Sequence, residues 1–310
     1  MYVKIPVRVC RYANARDCKM KIDCVKPYSG SVYTLLVACV FAALTCAAAT
    51  TDAEPVSAER QHTWWAGPGY WDRRHAAKLK EIASGPKEYD FVFLGDSITH
   101  GWEGWSEKAD LEAVDKAYGQ GMLKFRNGPG RKVWDEMKKE FRLLNLGCGG
   151  DTTQNVLWRL DHGEMDGYRT RGVALMIGTN NGESAEEIAE GIKAVVRKIL
   201  EKQPKAKVVL MPIFPAEHTP SAPRRVRNAK ASELAKSVAD GERVIWLDFN
   251  KVFLEKDGTL SAEMMPDYLH PLEHGYRLWR AAIEPVMRNV LKSAEKRLEK
   301  SNELNKEVKP

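Results

Sequence analysis

The chain is predicted to fold as an α/β protein, a three-layer α/β/α sandwich around a central, mostly parallel five-stranded sheet. Three observations carry this. From residue 88 onward, short apolar runs alternate with helix-like stretches, the pattern of strands joined by helical crossovers. Apart from Asn145, the runs are apolar throughout rather than at every second position, as in strands buried on both faces. Four of the five runs are followed by a polar or glycine-rich segment beyond their carboxyl ends, where open α/β sheets build their ligand crevice.

The strands are expected at 91–94, 143–146, 173–177, 208–211 and 244–247. Helices are expected near 152–160, 185–202 and 225–239, with a last one from Pro271 to about residue 300. Pro271 suits the first position of that helix, where its missing N–H costs nothing. The connection between Glu103 and Glu140 is long and contains Gly119-Gln120-Gly121 and Asn127-Gly128-Pro129-Gly130; it reads as a partly helical excursion above the active face. Residues 50–87 carry Trp64-Trp65, Tyr70-Trp71 and a helix-like stretch at 75–83. They read as an extension packing on the domain, with sugar binding by the aromatics as the alternative. The domain itself is placed at 88–293, and 294–310 form a charged tail whose mixed signs at helical spacing suggest a solvated helix end.

Residues 32–49 are apolar and end in Ala47-Ala48-Ala49, behind a basic flank. That is the pattern of a secretory signal peptide, here spanning 1–49, with Met20 as an alternative start. It implies export to a periplasmic or extracellular site. An uncleaved membrane anchor is the alternative, since eighteen apolar residues just reach across a bilayer. The leader also accounts for the chain's basicity. Of 48 Lys+Arg and 42 Asp+Glu, it holds seven and two, leaving 41 against 40. A balance so close to neutral removes the support for nucleic-acid binding. Five of the six cysteines lie in the leader, and Cys148 alone follows, so the remainder can form neither an internal disulfide nor a thiolate zinc site.

Four segments at strand ends carry the chemistry. Gly95-Asp96-Ser97-Ile98-Thr99-His100 presents a hydroxyl after the first strand. It is not the G-x-S-x-G elbow, because Thr99 stands where the last glycine would be. Asn145-Leu146-Gly147-Cys148-Gly149-Gly150-Asp151-Thr152-Thr153 follows the second strand. Its glycines let backbone N–H groups approach a ligand, and Asp151 or Thr152 can cap the next helix. No third glycine completes a dinucleotide fingerprint. Gly178-Thr179-Asn180-Asn181 follows the third strand and can turn an amide into the same crevice. Asp267-Tyr268-Leu269-His270 follows the fifth. There Asp267 can orient the His270 imidazole as a triad acid does. His270 and His274 have a zinc-like spacing, but no third ligand accompanies them. Neither a metal nor a cofactor is expected.

The four blocks together resemble the SGNH (GDSL-type) hydrolases, whose fold is flavodoxin-like. Within that family, Gly149 to Thr153, Val156 to Leu160 and Gly178 to Asn181 are most similar to the catalytic subunits of platelet-activating-factor acetylhydrolase IB and to related secreted bacterial acetylesterases. The resemblance covers roughly residues 88–290. It implies a Ser97, His270, Asp267 triad and an oxyanion hole from the N–H groups of Ser97 and Gly150 and the Asn180 amide. It also implies a short acyl group, an acetyl, and for an exported member a carbohydrate ester as substrate. A lysophospholipase or thioesterase of the same fold, and a non-catalytic carbohydrate-binding protein keeping it, are the alternatives. No nucleic-acid partner is expected. Membrane contact follows only from an uncleaved leader, and a homo-oligomer is left open. Two departures stand out: Asn181 replaces an Asp common in the family, and the 103–140 connection is longer than in the acetylhydrolase subunits.

Overall fold

The structure of the chain, a computed structural model, describes residues 56–62, 69–104 and 128–307, with side chains through residue 295. The leader, Trp64-Trp65, Gly119–Gly121 and most of the long connection fall outside the described residues. The chain divides into Met1–Glu54 and Pro55–Pro310, and every described residue belongs to the second unit. Among the described residues, no helix is long and apolar enough to cross a membrane.

Helix α1 (Tyr70–Ser84) leads into strand β1 (Glu88–Gly95) and the single turn α2 (Ser97–His100). After the long connection come α3 (Arg131–Met137), β2 (Leu143–Gly147) and α4 (Thr153–Arg159), which continues through a kinked turn at Leu160–Glu164. Then follow β3 (Arg169–Met176), α5 (Ala185–Lys202), β4 (Lys207–Leu210), α6 (Pro223–Ala235), β5 (Val244–Trp246) and α7 (Glu273–Glu307). All five strands are parallel, in the order β2-β1-β3-β4-β5. The connections reverse direction between β1 and β3, and in such sheets the crevice opens at that switch point.

Both faces of β1 are buried. Val92 and Leu94 turn to one side, with Leu144, Leu146, Val173 and Leu175, under α1, α4, α5 and α6. Phe91 and Phe93 turn to the other, with Ala174, Met176 and Val209, over α2, α3 and α7. This two-sided burial is why residues 91–94, 173–176 and 208–210 read as unbroken apolar runs. Helix starts follow their capping chemistry. Thr152, rather than Asp151, caps α4 in a reciprocal box with Asn155, and Ser184 with Glu187 does the same for α5. Such boxes satisfy N–H groups that the first turn leaves unpaired.

Several expected boundaries move: the helix expected at 75–83 spans Tyr70–Ser84, and the strand expected at 173–177 spans Arg169–Met176. The helix expected over 225–239 begins at Pro223 and is α-helical only to Ala235, then closes with a tighter turn at Lys236–Val238. The last helix begins at Glu273, so Pro271 is not its first residue. The Leu272 N–H donates to Met264 O at 3.1 Å, while Leu272 O accepts from Tyr276 N. Leu272 is therefore the cap, and Pro271 belongs to the loop before it.

β1 and β2 end side by side at the paired glycines Gly95 and Gly147. A Cβ on Gly147 would stand 2.2 Å from the backbone nitrogen of His100, because α2 turns back over the end of β2. Backbone cannot yield as a side-chain tip can. Gly147→Ala is expected to destabilise the fold by about 3 kcal/mol or more, read as a lowered urea midpoint.

Candidate active site

The structure brings the predicted site residues together at the carboxyl edge of the sheet. Ser97 opens α2, directly after β1. Asp96 caps that turn by accepting the Ile98 N–H at 2.9 Å. From 91 to 100, Ser97 alone is not buried.

Asp267 and His270 follow the far edge strand, β5, yet they stand over the end of β1. The cause is α7, which packs Trp279 and Ile283 beneath Phe93 and Met176. Tyr276 on α7 also donates its hydroxyl to Ile98 O at 2.6 Å. The loop before α7 is thereby carried to Ser97. Asp267 Oδ1 accepts from the N–H of Leu269 and of His270, and Oδ2 lies 2.7 Å from His270 Nδ1. A carboxylate only accepts, so Nδ1 carries the proton and Nε2 is left to accept. Nε2 lies 2.8 Å from Ser97 Oγ. A hydroxyl donating to an imidazole held by a carboxylate can lose its proton as it attacks a carbonyl. The loop is held in an unusual backbone conformation: Tyr268 (φ 53°) and Glu217 (φ 65°) are both left-handed, and the Glu217 N–H donates to Tyr268 O at 2.7 Å. Non-glycine residues in this region cost energy and persist only where surrounding contacts hold them.

β2 and β3 flank β1, so the loops that follow them flank Ser97. Gly150 is left-handed, with φ 81°, and is the one residue from 143 to 151 that is not buried. Asn180 donates one amide N–H to Asp151 O at 2.9 Å, which ties the two loops together and leaves its second N–H over. Asn181 accepts from the Thr153 N–H and donates to Thr153 Oγ1 and to Gln154 Oε1. A carboxylate could not make those donations, which explains why an amide suits this position. The N–H groups of Ser97 and Gly150 and the spare Asn180 N–H therefore sit at the ends of three adjacent strands, an arrangement that can receive an oxyanion.

Residues 93–278 match the GDSL-like lipase/acylhydrolase family. The chain belongs to this family. Platelet-activating factor acetylhydrolase IB subunit alpha1 of Bos taurus is 41% identical over 212 residues, covering 68% of this chain and 79% of that protein. The Homo sapiens subunit matches with the same identity and coverage. A GDSL-like lipase from Bacteroides thetaiotaomicron shares the fold with a TM-score of 0.53 at 16% identity, over 69% of this chain and 97% of that one. The protein is thus an ester hydrolase of the GDSL type.

Several residues of this GDSL hydrolase that support the site belong to none of the four sequence blocks. Arg224 on α6 donates to Thr179 O at 2.8 and 3.2 Å, and Arg227 donates to Asn181 O at 2.8 Å, so α6 secures the Asn180 loop. Asp151 is fully buried and accepts from Trp71 Nε1 at 2.8 Å, Gln61 Nε2 at 3.0 Å and Arg159 Nε at 2.8 Å. Burial raises its carboxyl to about 6, with Arg159 pulling the other way. Burial alone would lower the Arg159 guanidinium, but Asp151 and Glu164 more than offset it and keep it a cation. Tyr70-Trp71 stood out in the sequence as an aromatic pair. Gln61 and the two α6 arginines carried no signal, because their partners are backbone carbonyls and remote side chains.

Asp96 is buried too, and burial raises its carboxyl from the ordinary 3.8 to about 7, against the Ile98 N–H that favours the charge. A carboxyl whose folded pKa lies above its unfolded one contributes stability below the unfolded value and loses it as pH rises through the folded one. An asparagine amide in place of Asp96 would keep the Oδ1 acceptor and carry no charge. The melting temperature of Asp96→Asn relative to the parent is expected to rise as pH goes from about 4 to about 8. A difference that stays flat across that range would show Asp96 to be ionised throughout.

Proposed function

We propose that this GDSL hydrolase removes an acetyl group from a carbohydrate ester by a serine mechanism. The observation that carries the reading is the unbroken line from Asp267 through His270 to Ser97, at 2.7 and 2.8 Å. Ser97 Oγ attacks the acyl carbonyl and passes its proton to His270 Nε2. The oxyanion is held by the N–H groups of Ser97 and Gly150 and the Asn180 amide. Collapse breaks the bond to the alcohol, which takes the proton from His270 and departs. Water then gives its proton to His270 and attacks the acyl-serine; acetate leaves and Ser97 recovers its proton. Asp267 stabilises the imidazolium in both halves.

An acetyl group is supported by the acetylhydrolase subunits, similar over most of their length. The leader supports a carbohydrate rather than a cytosolic substrate, and with it we propose export. Sequencing the N terminus of protein from its native host should find a start near Thr50. An intact terminus in a membrane fraction would replace export by anchoring.

Ser97→Ala and His270→Ala are each expected to lower kcat by about 10³-fold or more, without adding when combined. Asn180→Ala should lower kcat by about 10²- to 10³-fold with a smaller change in KM. On nitrophenyl esters of rising chain length, turnover should be highest for acetate, and acetylated oligosaccharides should be deacetylated. A preference for octanoyl esters or lysophospholipids would make the enzyme a lipase instead.

A further inference from the structure

The Gly150 N–H can serve an oxyanion only if it points into the crevice, and its direction is set by one rigid unit. A trans peptide is planar, with C=O and N–H on opposite sides. The Gly150 N–H therefore points away from the carbonyl of Gly149. That carbonyl accepts from Gln61 Nε2 at 3.1 Å. The same Nε2 also reaches Asp151 Oδ1, at 3.0 Å. Gln61 thus spans Gly150, gripping the residue on each side of it. The preceding peptide is gripped as well: the Gly149 N–H donates to Tyr70 Oη at 3.0 Å.

Tyr70 is 1% exposed and His100 is 2% exposed, and the Tyr70 hydroxyl lies 3.1 Å from His100 Nδ1. Burial, helped by Arg74 and Lys78, lowers the His100 imidazole well below its ordinary range, so it is neutral and can accept the phenolic proton. The phenol itself is pushed up by burial and stays protonated. His100 lies on the same turn as Ser97. A line of hydrogen bonds therefore runs from the turn that carries Ser97, through His100 and Tyr70, to the loop that carries Gly150.

We propose that Gln61 and Tyr70 are positioning residues that aim the Gly150 N–H at the reacting oxygen. Both lie before residue 93, outside the stretch that matches the family. The N-terminal extension thus completes a site whose reacting groups all lie within that stretch. The inference rests on the serine mechanism proposed above. Its effect should fall on kcat, because an N–H turned away fails the oxyanion more than the bound ester.

The test is Gln61→Leu and Tyr70→Phe in the full chain, with Ser97 sites counted by a fluorophosphonate probe. Per labelled site, each variant is expected to lose about 10- to 100-fold in kcat, with KM within about threefold. Tyr168→Phe is the control. Its hydroxyl is also buried, but it donates to Glu164 O, away from the loop. It should lower the melting temperature and leave kcat per site unchanged. Unchanged kcat per site in folded Gln61→Leu would overturn the proposal, whatever happens to stability. Gln61 is only partly buried, so that variant stays informative even where Tyr70→Phe does not fold. Probe labelling that survives Ser97→Ala would count against the serine assignment and leave the role of the extension to be judged by kcat per mole of folded protein.

Discussion

The site owes its geometry to the burial of β1 on both faces. Phe91 and Phe93 are buried against α3 and α7, Val92 and Leu94 against α4 and α5, and β2 and β3 saturate the strand's hydrogen bonds. A strand so enclosed cannot slip by one residue without turning its whole apolar set to the wrong layer. Ser97 stands two residues past its end. The accuracy with which the hydroxyl is placed is therefore inherited from the core, and so is the placing of the two loops beside it.

The second element of the design is polar. Asp151 is buried and accepts from Trp71, Gln61 and Arg159, and its own carbonyl accepts from Asn180. One residue thus joins the extension, α4 and the β3 loop around Gly150. Arg159 also pairs with Glu164, which holds His75 at 2.7 Å. A buried ionic network of this kind adds little net stability, and breaking one member is costly. Its role here is geometric, since a satisfied network permits one arrangement of the loop.

The third element is the return of α7. Its aromatic residues Tyr276 and Trp279 cluster with Trp102, and Trp102 in turn packs on Phe93. This carries the Asp267–His270 loop from the edge of the sheet to its centre. The left-handed Tyr268 and Glu217 show that the loop is held against its own preference. The bonds from the Leu269 and His270 N–H groups to Asp267 Oδ1, and from the Glu217 N–H to Tyr268 O, hold it there.

The strands, the order of the blocks along the chain and the residue types at each strand end were all legible in the amino-acid sequence. Those features are local. A strand buried on both faces is largely apolar, a tight turn needs glycine, and an Asp three residues before a His can reach its ring. The start of the last helix was misplaced because Pro271 suits a helix start, whereas the bond from Leu272 to Met264 holds the chain in the loop for two more residues. That Gln61 holds Gly149, eighty-eight residues away, and that Arg224 holds Thr179, emerged with the folded chain alone. A side-chain amide or guanidinium bonds equally well to any carbonyl within reach. Which carbonyl that is depends on how two segments dock, and docking is settled by the packing of the whole core.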